Sequence, residues 1–141
     1  PNLELLLLTA RETCATFVPE EPEIVPGRSS FGGVVWIDQE QGYSALRALD
    51  VRTGELEWEF EYPSPTFAGV TTTASGLVFA GDHEGNFIAF ESATGRDLWH
   101  YQTGSRIWGA AAMTHMLDGR QYVLIPSGTT LVAFALPEER D

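Results

Sequence analysis

Two stretches of this chain repeat one order of apolar and polar positions. Ala-Leu-Asp-Val-Arg-Thr-Gly-Glu-Leu-Glu-Trp at 48–58 returns as Ala-Phe-Glu-Ser-Ala-Thr-Gly-Arg-Asp-Leu-Trp at 89–99. Gly54 and Gly95 are 41 positions apart, and so are Trp58 and Trp99. Self-similarity at a period of roughly 20–50 residues marks a repeat architecture. Within each copy the alternation at period two predicts a strand, a tight turn and a second strand. Thr53-Gly54 and Thr94-Gly95 supply the turn, with glycine available where φ is positive. Each copy closes on a tryptophan. A buried Trp brings about 150–250 Å² of surface, worth several kcal/mol at roughly 25 cal/mol/Å². A Trp at one fixed point of each repeat therefore suits a wedge between neighbouring repeats.

The same patterning predicts strands over 67–73, 77–81 and 87–91. A strand over 98–102 opens the next set, which continues over 111–115, 122–125 and 131–134. Ser75-Gly76, Asp82-His83-Glu84-Gly85 and Asp118-Gly119 punctuate them as turns. Four short strands in about 40 residues is the mark of a propeller blade. Residues 131–137 resemble the beginning of a third Thr-Gly-to-Trp run but stop before the turn and the Trp. Residues 3–50 hold one more, less regular set. Residues 1–18 read as two apolar strands around Thr-Ala-Arg-Glu, and 19–30 as a loop carrying Pro19, Pro22, Pro26 and Gly27. A short strand over 31–37 follows, with Trp36 packed in the first blade, and then a polar turn over 38–42. Residues 1–42 are thus an irregular first blade with a Pro-rich loop. Residues 43–141 are regular repeats with a closing strand, all within one domain or part of one. Helical periodicity is poor, so the chain is expected to be all-β, built of blades of four antiparallel strands.

Length sharpens this picture. At about 40 residues per blade, 141 residues hold about three blades, fewer than the roughly four a closed ring needs. The expectation is a fragment, or one piece of a larger ring. An open array exposes blade faces and strand edges that favour association, either with the remaining blades or with itself. The net charge is −12, with eight arginines and no lysine, so a basic footprint for nucleic acid is excluded. No apolar run reaches the roughly 18 residues of a membrane span. Cys14 is the single cysteine, which rules out an internal disulfide, and it reads as a packed small residue.

Candidate chemistry is sparse. Glu55, Glu57, Glu59 and Glu61 alternate as the solvent face of a strand. Asp82-His83-Glu84 reads as a hairpin turn, because three consecutive side chains in a turn diverge, and His100 and His115 stand alone on strands. No phosphate-binding glycine loop and no Gly-x-Ser-x-Gly elbow is present. No catalytic residue and no metal ligand is assigned. Trp108 follows the turn at Gly104-Ser105-Arg106, where it serves either as an aromatic wall near a central funnel or as packing between blades.

The run at 48–58, then Thr-Thr-Ala-Ser-Gly-Leu-Val-Phe-Ala-Gly-Asp-His-Glu-Gly-Asn-Phe-Ile-Ala-Phe at 72–90, then Asp-Gly-Arg-Gln-Tyr-Val at 118–123 resemble the C-terminal blades of the quinoprotein alcohol dehydrogenases. Thr-Ala-Arg-Glu-Thr-Cys at 9–14 and Val-Pro-Gly-Arg at 25–28 resemble the preceding blade of that family. The resemblance implies an eight-bladed propeller, a periplasmic location, pyrroloquinoline quinone (PQQ) as cofactor and oxidation of a small alcohol. It also implies that calcium, the general base and a vicinal cysteine pair belong to earlier blades outside this chain. The fragment alone is then not active. Where the family often carries a Trp under the quinone, this chain has Phe67-Ala68-Gly69, and Phe lacks the indole N–H donor. Ser127-Gly128-Thr129-Thr130 runs straight into the last strand, where the family often has a Trp-bearing loop. Phe67, Gly69 and Trp108 are the candidate cofactor-wall residues, and Arg106 is a candidate for an anionic group. Two functions follow: scaffold and one funnel wall of a PQQ-dependent alcohol dehydrogenase-like propeller, or a non-catalytic propeller scaffold that has lost the quinone site.

Overall fold

The computed structural model describes residues 3–29 and 32–137. Among them lie ten strands and no helix. The strands form three antiparallel sheets that follow the chain in order. The first contains β1 (Leu5–Pro19), β2 (Gly33–Asp50) and β3 (Leu56–Glu61). The second contains β4 (Val70–Thr72), β5 (Leu77–Gly81), β6 (Asn86–Glu91) and β7 (Asp97–Gln102). The third contains β8 (Met113–Leu117), β9 (Arg120–Ser127) and β10 (Thr130–Ala135), ordered β10-β9-β8.

The inner strands of the middle sheet, β5 and β6, are buried on both faces, and their alternation shows how. Val78, Ala80, Ile88 and Phe90 turn to one side, where they join Leu46 and Tyr62 from the first sheet and its exit. Phe87, with the partly buried Phe79, turns to the other side and meets Ile107, Ala112 and Ile125 on the way into and within the third sheet. Two cores therefore sandwich one sheet. Full burial of a side chain such as Phe87 or Phe90 contributes about 1.5–3 kcal/mol.

The repeat reappears in three dimensions. Ala48 pairs with Trp58 and Ala89 with Trp99, and each ladder slips by one residue at the next step. Trp58 lies against the Thr94-Gly95 turn of the following sheet, and its indole N–H donates to the Ser92 carbonyl at 3.1 Å. A Cβ on Gly95 would fall 2.4 Å from the Trp58 ring. Trp99 meets Phe87, Tyr101 and Phe134, stays 41% exposed, and borders a groove of about 1040 Å³ between the second and third sheets. The two tryptophans hold one ladder position, and only the first is capped by a following glycine turn.

Some expectations need correction. The strand at 98–102 does not open a new set: as part of β7 it closes the second sheet beside β6. The tight turn at Thr94-Gly95 leaves the chain no reach except to fold back on the strand before it. Residues 1–18 do not hold two strands, because β1 runs unbroken from Leu5 to Pro19 with a bulge between Glu12 and Cys14. Residues 38–42 are not a turn but part of β2, which pairs along most of β1. The far half of this hairpin stands clear of both cores, so Trp36 is 67% exposed rather than packed, and Cys14 is exposed as well. Asp118-Gly119 behaves as read: φ is +50° and +78°, which is the two-residue turn that joins β8 to β9.

The repeated turns are held by repeated carboxylates. Asp50 accepts the backbone N–H groups of Arg52 and Thr53, both at 2.8 Å. Those bonds, Thr53's first, hold its carboxyl below the usual range. Glu91, one repeat later, accepts the Thr94 hydroxyl at 2.5 Å, and that bond, with the nearby Arg96, holds its carboxyl below the usual range.

Gly54 (φ +74°) has open space where its Cβ would go, whereas Gly95 (φ +71°) has the Trp58 ring. Gly54→Ala is expected to cost about 1–2 kcal/mol, for left-handed backbone alone. Gly95→Ala is expected to cost a further 1–3 kcal/mol, roughly, for overpacking. Urea unfolding of both variants checks this, and equal losses would remove the wedge. For Asp50 the depressed folded pKa means that stability is present above the ordinary value of 3.8 and is lost as pH falls through the lower folded value. Asp50→Asn should melt below wild type at pH 7, with the gap closing on acidification below that value in a melting series.

Candidate functional site

The segments that lead into β4 and β8 run side by side. Thr66 and Ala68 are buried, so Phe67 between them projects outward. Ile107 is buried and Trp108 after it projects outward in the same manner. Phe67 and Trp108 are 41 positions apart, the same spacing as the turn glycines. Gly69 donates its N–H to the Ala110 carbonyl at 2.9 Å, and a Cβ there would meet the Cβ of Ala111 at 2.9 Å. Thr71 Oγ1 donates to the Ala112 carbonyl at 2.5 Å. Gly69 thus lets the two segments touch, and the contact brings the Phe67 and Trp108 rings to 4.8 Å at a tilt of 53°.

Both segments are pinned from behind. On the Phe67 side, the Thr66 N–H donates to Ser44 Oγ at 3.0 Å, and Thr9 Oγ1 donates to the Ala68 carbonyl at 2.8 Å. On the Trp108 side, the Ile107 N–H donates to the Asp82 carbonyl at 3.0 Å, and Gly128 N–H donates to the Arg106 carbonyl at 2.9 Å. Ser127 Oγ donates to the Ser105 carbonyl at 2.8 Å. Asp82 is fully buried, and its carboxylate accepts the N–H groups of Glu84 and Asn86 and the Asn86 amide at 2.7–2.9 Å. The Asp82-His83-Glu84 hairpin turn is therefore a rigid bracket, and no group of metal-ligating side chains occurs among the described residues.

Charged and polar side chains frame the two rings. The Arg11 guanidinium lies 4.0 Å over Phe67, and the Arg106 guanidinium lies 5.4 Å over Trp108. The His83 ring meets Trp108 edge-on at 5.3 Å. Arg11 Nε and His83 Nδ1 are buried without a hydrogen-bond partner. A cavity of about 350 Å³ opens beside Arg11, Phe67 and Gly69. Phe67 and Trp108 are thus brought together, while Gly69 acts through the backbone. Sequence reading missed Arg11 and His83. The 41-residue spacing was the available signal for the aromatic pair, but β1 delivers Arg11 by long-range pairing that leaves no local trace.

Comparison with known proteins bears on the fold and the sequence as a whole. The family model for the PQQ glucose/ethanol/alcohol dehydrogenase β-propeller domain matches residues 63–123. Quinoprotein alcohol dehydrogenase PedE of Pseudomonas putida is 45% identical over 83 residues, which is 59% of this chain and 13% of that enzyme. Quinohemoprotein alcohol dehydrogenase ADHIIG of Pseudomonas putida HK5 superposes with a TM-score of 0.77 at 27% identity, over 93% of this chain and 21% of the other. The quinohemoprotein alcohol dehydrogenase of Comamonas testosteroni superposes with a TM-score of 0.73 at 28% identity, over 94% of this chain and 21% of the other. Over these stretches the chain is similar to the quinoprotein alcohol dehydrogenase propellers, consistent with their C-terminal blades, and it spans a small part of their length.

Asp82→Ala should cost about 3 kcal/mol, since three bonds to a buried carboxylate are lost together. Chemical unfolding measures the loss. Because the bracket holds the Trp108 segment, the variant should also show faster acrylamide quenching of tryptophan fluorescence in the folded state.

Proposed function

We propose that this chain is a C-terminal, three-blade segment of a PQQ-dependent alcohol dehydrogenase-like propeller, stiffening the ring and walling one side of the cofactor funnel with Phe67, Gly69 and Trp108. One observation supports this reading above the others: Phe67 and Trp108 occupy equivalent positions in successive repeats, half-exposed and in contact. The chemistry of the surface also fits the cofactor. Two aromatic rings, two guanidiniums and the unpartnered Arg11 Nε–H suit a planar, conjugated acid. When bound, the quinone supplies the acceptor for the two electrons of alcohol oxidation. The residues of this chain orient it and exclude water, and Gly69 sets the spacing of the rings. Calcium ligands and the general base lie, in this reading, on blades outside the chain. The remaining blades are its partner, and the whole protein is placed in the periplasm and acts on a small alcohol.

A non-catalytic propeller scaffold is the second reading. Phe67 carries no N–H donor, and Arg11 covers one face of its ring, which favours this alternative.

Titration of the full-length protein with PQQ and Ca²⁺, followed by absorbance and melting temperature, separates the two. The enzyme reading expects an upward shift in melting temperature that Trp108→Ala reduces. No spectral change and no shift would leave the scaffold.

A further inference from the structure

The outer half of the β1–β2 hairpin projects beyond both cores. A bulge between Glu12 and Cys14 bends the ladder, and past it residues 15–19 pair with 33–37. β3 bonds β2 only between Ala45 and Leu49. Among the described residues this arm is therefore a two-stranded ribbon with both edges open. Residues directly opposite one another share a face, and successive residues alternate between faces. Trp36 lies opposite Thr16 and next to the Val18–Val34 pair, which puts these four on one face. Phe17 and Val35, with Ala15 and Ile37, take the other. Both faces are apolar, and neither carries a charge.

All of these side chains are exposed, as are Ile24 and Val25 in the connecting loop. At those exposures the two aromatic residues present roughly 300 Å². The whole arm presents on the order of 800 Å², more than the largest patch of an ordinary monomer and the share one partner gives to a standard interface. A lone ribbon of two strands is marginal in water, so this surface calls for an occupant, and its charges choose which. Glu20, Glu21 and Glu23 stand exposed in the loop that ends the arm, against the single cation Arg28. A lipid surface would take in these carboxylates and the open backbone edges first, at several kcal/mol for each unsatisfied group. A cationic partner would find acids only at the tip, whereas the area lies on the uncharged faces. A second arm offers those faces their own kind, and antiparallel pairing keeps the two acidic tips at opposite ends.

We propose that the arm is a homodimer contact. The outer β1–β2 ribbons of two copies pack antiparallel about a two-fold axis, apolar face on apolar face, with Trp36 and Phe17 as anchors. Covering one face of each arm gives an interface of the small, reversible class. Each copy carries a net charge of −12, so the contact tightens as salt screens the repulsion. The inference goes beyond the propeller reading and does not rest on it.

Sedimentation velocity of the full chain over a range of concentrations tests this. A monomer–dimer equilibrium is expected, shifted toward dimer as NaCl is raised. Trp36→Ser combined with Phe17→Ser weakens the dimer at least tenfold. Leu131→Ser, at another exposed apolar site on the outer face of the third sheet, leaves it unchanged. Melting curves establish that the variants are folded, since both arm side chains lie outside the cores. Cys14, the single cysteine and exposed at the foot of the arm, gives a second readout: its labelling by a maleimide slows as the dimer forms. A chain that stays monomeric at every concentration overturns the proposal, and binding of that monomer to phosphatidylcholine vesicles would assign the arm to lipid instead. A dimer broken by Leu131→Ser and untouched by the arm substitutions also overturns it, and moves self-association to an open sheet face. An arm-dependent dimer in a protein that ignores PQQ with Ca²⁺ leaves the contact standing and sinks only the enzyme reading.

Discussion

The structure depends on one contact between neighbouring sheets: the flat indole of Trp58 lying on a turn that has no side chain. Gly95 is in the left-handed region, where glycine carries no steric cost, and its missing Cβ is the space the ring occupies. The indole N–H reaches the Ser92 carbonyl just before the turn, so the ring is fixed in orientation as well as in depth. The same Thr-Gly turn that closes one sheet is the seat for the Trp of the sheet before it. The first sheet thereby supplies the wedge and the second the socket, and the middle sheet serves two cores: Phe90 and Val78 face one while Phe87, with Ile107, faces the next.

That logic explains what the sequence made readable. Alternation, the Thr-Gly turns and the Trp at constant spacing are local signals, and they located β5, β6 and β7 to within a residue of where they lie. The phase of the repeat was harder. Whether the strand after Thr94-Gly95 begins one sheet or ends another is decided by which neighbour it bonds, and β7 bonds β6. The long β1–β2 hairpin was the least readable part. Beyond Glu12 it leaves the cores, so burial no longer imposes a pattern, and apolar Phe17 and Trp36 sit in solvent at 72% and 67% exposure.

The candidate site divides along the same line. Phe67 and Trp108 project because their neighbours Thr66 and Ile107 are buried, an alternation written in sequence. Their meeting depends on Gly69 lying against Ala111, which is a consequence of two successive sheets converging at one end. Arg11 arrives from a third place, across the sheet from Ser44, whose hydroxyl also fixes Thr66. One strand pair thus sets both the ring and the cation above it.

This coupling bears on how the surface can change without the fold changing. The shelf is assembled from the lead-in segments of two blades and one strand of a third, so its geometry is a by-product of sheet packing and does not require its own loops. Rigid wedges such as Trp58 hold the blades at a fixed spacing, and Asp82 holds the turn beside the Trp108 segment. Substitution at exposed tips such as Phe67 and Trp108 would then alter surface chemistry while leaving the backbone in place. A scaffold of this kind conserves shape under changes of surface chemistry, because the interactions that make the shape lie behind the exposed side chains.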